Sequence, residues 1–238
     1  ESGHYYTVFL AAKEAGYTTG SALKVALYSQ LPDEIGSLDA INQQVEHARG
    51  SNGHYVKAPR FKPDPRYKYG PPMGLKWVSN EFGRDDVQGG IHQLEGASSV
   101  VVTNRSRDAL MDARSDEAAG IAAHALGDSY AHRQIGNEKQ MYPTGPGHLR
   151  HGSKPDMIVR RPELYGAYVK DLVQTLAARR GLHMTEGRAE AFAASMVKMT
   201  EAPLEEARSK LRKGAYGTVT PISTHTHDSV LSEAEDQV

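Results

Sequence analysis

Apolar positions recur along this chain mostly at helical spacing. Residues 4–15, HYYTVFLAAKEA, read as a helix that ends at Gly16, because the run is apolar-rich and strong helix formers come late in it. Residues 19–31, TGSALKVALYSQL, read as a second helix. A Thr or Ser cap stands at its start and Pro32 at its end. The segment DEIGSLDAINQQVEHA reads as a turn continuing into a short helix. IHQLEGAS at 91–98 fits neither period, and SVVVT at 99–103 suits a short strand, although no partner strand follows it. Residues 106–134 read as a helix broken near Arg114, with EAAGIAAHALGDSYAHRQI its best part. Turn residues fill 136–158, and further helices are expected over 161–180, 185–200 and 201–213.

Between these elements, residues 49–90 are rich in Gly, Pro, Lys, Arg and Tyr and read as a long irregular insertion. Loops of this length are uncommon unless they serve a function. Its tyrosines and basic residues, Tyr55 to Tyr69, suit either a substrate lid or a plain solvated loop. The expected fold is all-α: one multi-helix domain over 1–213 with the 49–90 insertion, followed by an extended tail at 214–238. No internal repeat is visible.

Composition narrows the chemistry. A chain of 238 residues can bury a sizeable core. Its formal net charge of −1 is unlike the basic footprint of a general nucleic-acid binder. There is no cysteine, which excludes disulfides, Cys-type zinc sites and thiol nucleophiles together. Any metal must be held by His, Asp and Glu. No apolar run approaches the roughly 20 residues of a membrane span. The chain begins Glu1-Ser2-Gly3-His4 without an initiator Met, which reads as a processed chain or a domain cut from a larger secreted protein.

The candidate chemistry centres on HALGDSYAH at 124–132. A four-residue step turns a helix by only about 40°, so His124, Asp128 and His132 share one face. Two imidazoles and a carboxylate suit zinc and related metals. A lone His on an apolar helix is usually a satisfied structural residue. Three ligand-type residues in an Ala-rich stretch would instead leave polar groups in need of partners. A second cluster, His148, His151 and Asp156, lies in GHLRHGSKPD, a loop able to fold back onto that helix. His4, Asp33, Glu34, His54 and His92 remain as candidates among which spacing alone does not choose. His227-Asp228 has the form of a metal-phosphohydrolase pair but sits with His225 in the polar tail, where such a pair lacks surrounding ligands.

HYYTVFLAAKEAGY, ALYSQLPDE, IAAHALGDSYAH and GHLRHGSKPD, taken in order, resemble the zinc-dependent phospholipase C and single-strand zinc nuclease superfamily. They are closest to a poorly characterised bacterial family related to it. The resemblance covers about 1–45 and 90–160. It implies an all-α fold holding two or three zinc ions. Asp33 and His92 would join His124 and Asp128 at the first ion. His132, His148 and Asp156 would hold the second, and His4 would belong to a third near Asp128. The superfamily also uses the amino terminus of an N-terminal Trp, where this chain has Glu1. The implied activity is hydrolysis of a phosphoester, such as a phospholipid or nucleic acid, by metal-activated water. Asp33 would orient that water and accept its proton, and Arg60, Arg84 or Lys154 would contact phosphate. The alternatives are a metal-dependent esterase or amidase, a toxin-like effector or interaction domain with a structural metal, and a helical binding domain without metal.

Overall fold

The computed structural model describes residues 2–35, 87–143, 147–148, 151 and 154–212, with the backbone alone for Ser2 and 201–212. Residues 1–200 form one compact unit, which contains every site residue discussed below, and 201–238 form a second.

A π-helical turn at Ser2–Tyr6 leads into α1 (Thr7–Glu14). Next comes α2 (Thr19–Glu34), whose N-terminus is capped by the Thr18 hydroxyl accepting from the Ser21 N–H at 3.3 Å. Helix α2 runs past the expected stop at Pro32. Proline removes one donor, but the turn is carried on by the Ile35 N–H donating to the Leu31 carbonyl at 2.9 Å. Asp33 is therefore held on a helical turn. Most of the 49–90 insertion, and with it His54, Arg60 and Arg84, lies outside the described residues. Its end does not: Val87–Ile91 is a second π-helical turn.

The strand expected at SVVVT is instead the start of α3 (Ser99–Met111). Ser99, Val102, Thr103, Ser106 and Leu110 are buried while Val100 and Val101 are exposed, which is helical rather than alternating periodicity. The β-branched run had a local strand preference, but nothing pairs along it, and burial on one helical face prevailed.

The break near Arg114 separates α3 from α4 (Asp116–Ala131). Ser115 caps α4 by accepting from the Ala118 N–H at 3.2 Å, and Asp116 and Glu117 favour the positive end of its dipole. Part of the loop expected over 136–158 is strand instead. A two-stranded hairpin, β1 (Arg133–Gln134) and β2 (Asn137–Met141), follows α4 directly. Its strands are too short and too polar to show alternation. It returns the chain so that the Tyr142 N–H donates to the His132 carbonyl at 2.9 Å.

After a 3-10 turn at Ile158–Arg160 come α5 (Pro162–Arg179) and α6 (Glu186–Arg212). Helix α6 takes the place of the two helices expected over 185–200 and 201–213. Apolar side chains of α1, α2, α4 and α5, including Val8, Val25, Leu126, Val169 and Leu172, make one core. Polar contacts tie the outer helices to it. Arg107 donates two bonds of 2.6 Å to Asp171, which also accepts from the Tyr130 hydroxyl at 2.9 Å. Among the described residues the result is an all-α architecture with one small hairpin, as expected in class. No helix among the described residues is long and apolar enough to cross a membrane. The tail, with His225, His227 and Asp228, lies outside the described residues.

Candidate metal centre

Helices α2 and α4 pack backbone to backbone. A Cβ at Gly120 would lie 2.5 Å from both Tyr28 Cβ and the Val25 carbonyl oxygen, so only glycine permits this approach. One turn further along α4, the approach brings His124 Nδ1 to 2.8 Å from the Ser29 carbonyl. That carbonyl can only accept. His124 therefore carries its proton on Nδ1 and turns Nε2, as a lone pair, toward the carboxylates.

Three groups of ligand atoms surround this face: His92, His124 and Asp128; His4, Asp33 and His124; and His132, His148 and Asp156. In the first, Asp128 Oδ2 lies 3.1 Å from His92 Nδ1 and 3.2 Å from His124 Nε2. The two ring nitrogens are 3.2 Å apart. In the second, His4 Nε2 lies 3.8 Å from Asp33 Oδ2, and Asp33 Oδ1 lies 3.9 Å from both His92 Nδ1 and His124 Nε2. His4 Nε2 also lies 3.2 Å from Asp128 Oδ1, which joins these two groups into one cluster. In the third, Asp156 Oδ1 is 3.3 Å from His132 Nε2 and 3.5 Å from His148 Nε2. The His132 and His148 rings stack at 5.2 Å.

These separations match the needs of a metal ion. Two N or O ligands at about 2.1 Å from a tetrahedral zinc stand about 3.4 Å apart. The ring geometry fits as well, because His132 Nδ1 donates to the His92 carbonyl at 2.5 Å and so leaves its Nε2 for the third group. His4 Nδ1 is buried without a hydrogen-bond partner, so the protein commits this ring through Nε2 alone.

Gly127 admits the His4 ring. A Cβ there would stand 3.2 Å from His4 Cε1 and from the Tyr168 ring and hydroxyl. The sequence shows Gly127 as a small residue on the ligand helix, but not which ring uses the space. Ser29 gave no signal at all, since it acts through its backbone. Tyr142 was likewise missed. Its hydroxyl meets His151 Nδ1 at 2.8 Å and its ring lies edge-on to His148. His151 thus supports the third group's loop and offers no atom to the group. Glu34 also stands apart, accepting from Gln30 Nε2 at 3.1 Å. The eight side chains implied as ligands by the resemblance, His4, Asp33, His92, His124, Asp128, His132, His148 and Asp156, all belong to the three groups.

Electrostatically the cluster is a buried carboxylate ringed by imidazoles. Burial works to raise the Asp128 carboxyl, but the charges and hydrogen bonds of His124, His132 and His4 hold it well below the usual carboxylate range. Burial works to lower His132, but the Asp128 and Asp156 carboxylates outweigh it and push this imidazole up to about 9. Burial and the neighbouring His124 lower His4. The proton held by His132 supplies part of the positive charge that Asp128 requires, a task a divalent cation performs more completely.

Accessibility differs across the cluster. His124 and Asp128 are buried, whereas the Asp33 and Asp156 side chains are 36% and 46% exposed. The second and third groups therefore meet solvent through a carboxylate, whereas the first group is buried. No family model matches the chain, and no curated protein and no solved structure was found to match it.

Proposed function

We propose that this chain is a zinc-type, metal-dependent hydrolase acting on phosphoesters, with its metals held by the three His/Asp groups. The observation that carries the reading is the third group: three protein ligands, two of them imidazoles, with its carboxylate open to solvent. A structural zinc site is closed by four protein ligands, whereas a catalytic one keeps a position free. The order of sequence motifs favours phosphoesters over carboxylic esters or amides.

Zinc bound in these groups would lower the pKa of water toward 7 and neutralise charge on phosphoryl oxygens. The chain's own residues do the rest. His124 and His132 are fixed in tautomer by the Ser29 and His92 carbonyls, so their Nε2 atoms are set before any ligand arrives. Asp33 is the accessible carboxylate of the first cluster, placed to orient a water and take up its proton. Lys154, exposed in the turn that carries Asp156, is a candidate phosphate contact among the described residues.

Protein purified without chelator is expected to carry at least one equivalent of zinc per chain and to hydrolyse a generic phosphodiester such as bis-nitrophenyl phosphate. Chelator should abolish turnover, and added zinc should restore it. Full activity in a chelated, metal-free preparation would overturn the reading. Hydrolysis of nitrophenyl acetate or a peptide, with no phosphodiesterase activity, would replace phosphoesters by esters or amides.

A pH dependence follows from His132. Its metal-free imidazole holds a proton up to about pH 9, and a ligating imidazole must give that proton up. Proton and zinc compete, so zinc affinity at the third group should rise with pH until about 9 and then level off. One displaced proton corresponds to about tenfold per pH unit. Zinc titrations at several pH values, or calorimetry in buffers of different ionisation enthalpy, read this directly. Affinity that is flat with pH and unaccompanied by proton release would show that His132 is not displaced.

A further inference from the structure

We infer that the segment around His92 couples the metal groups, with Gln93 and Arg105 as its positioning residues; this rests on the metal-centre reading above. His92 serves two groups with different parts of itself. Its ring Nδ1 stands among the first group's ligands, 3.1 Å from Asp128 and 3.2 Å from His124. Its backbone carbonyl accepts from His132 Nδ1 at 2.5 Å and so orients a ligand of the third group. Any displacement of this one residue disturbs both groups together.

The chain around His92 is built to prevent that displacement. Gln93 has φ +56°, and among the described residues it is the non-glycine residue with positive φ. A left-handed residue turns the chain sharply, which lets the ring and the carbonyl of the preceding residue serve separate groups. Glycine would adopt this conformation at less cost, but it would lack the side chain. The buried Gln93 amide donates to the Gly90 carbonyl at 2.6 Å and to the Ile91 carbonyl at 3.4 Å. Its Oε1 accepts from Arg105 Nη2 at 2.9 Å. The same guanidinium, on α3, reaches both Glu95 oxygens, at 2.5 and 3.1 Å. The His92 N–H donates to the Val87 carbonyl at 3.1 Å and the Leu94 N–H to the Gln88 carbonyl at 2.7 Å. The loop is thus folded around the Gln93 amide and clamped to α3 from outside, with neither Gln93 nor Arg105 offering an atom to a metal.

Gln93→Gly and Arg105→Ala in the full chain separate positioning from ligation. Glycine accepts the left-handed backbone but leaves a cavity where the buried Gln93 side chain stood, whereas the Arg105 side chain is 52% exposed and its removal leaves the core intact. Circular dichroism establishes that both variants fold. Zinc alone is titrated against a competing chelator dye, with stoichiometry and each affinity recorded. Both variants should keep the wild-type stoichiometry but bind about 10–100-fold more weakly at the His92 and His132 groups alike, the usual cost of losing groups that orient ligands. Arg105→Lys should recover part of the loss. Arg188→Ala, which removes an equally exposed pair with Glu14 elsewhere on the surface, should match wild type. In NMR, the His132 Nδ1–H resonance should move in Gln93→Gly. Wild-type affinity in both variants, or a loss confined to the His92 group, would overturn the coupling while leaving the metal centre standing. A wild-type chain that takes up no zinc would overturn the metal reading itself.

Discussion

Replacing His124 by alanine is expected to disable two of the three ligand groups at once, because this imidazole belongs to both. Nε2 is 3.2 Å from Asp128 Oδ2 and from His92 Nδ1, and 3.9 Å from Asp33 Oδ1. Zinc affinity of the His4/His92 cluster should fall by more than about a hundredfold, since losing groups that only orient a ligand already costs about 10–100-fold. Phosphodiesterase activity should fall with it. The third group shares no ligand with His124, and its orienting carbonyl on His92 stays tied by Gln93, so it should still take up zinc. His132→Ala should show the reverse pattern, sparing the first cluster. Elemental analysis and zinc titration of the two variants, with circular dichroism to establish folding, make the comparison. A His124→Ala protein with undiminished zinc content and turnover would remove this histidine from the centre.

Gly120→Ala should destabilise the fold and damage the site together. In an isolated helix the change stabilises by about 1 kcal/mol. Here the new Cβ would lie 2.5 Å from a side-chain carbon and a backbone oxygen of α2, and the latter cannot rotate away. The helices must separate. Overpacking of this kind costs about 1–3 kcal/mol and occasionally more, which outweighs the propensity gain. For a chain of this size each kcal/mol corresponds to about 2–4 °C of melting temperature. Separation also draws the Ser29 carbonyl away from His124 Nδ1, now 2.8 Å apart. A lowered melting temperature should therefore come with weaker zinc binding at the first two groups. A raised melting temperature with unchanged zinc affinity would contradict the close helix contact.

The sequence alone determined the features that local geometry sets. The Thr or Ser cap at the start of α2, the break near Arg114 and the Ala-rich run of α4 are short-range features, and each is found where its chemistry places it. The shared face of His124, Asp128 and His132 comes from helix rotation alone. Spacing did not extend to His4, Asp33 and His92, whose place beside that face was implied only by resemblance. They converge because α2 lies against Gly120, the His4 ring fits over Gly127, and the Val87–Glu95 loop is clamped to α3. Tertiary structure also overruled local preference at SVVVT, where an unpaired β-branched run folded as helix to bury one face. The atoms that fix the histidine tautomers are the carbonyls of Ser29 and His92. Every residue carries a carbonyl, so no residue type signals which two will face an imidazole. Only the packing of distant segments decides that.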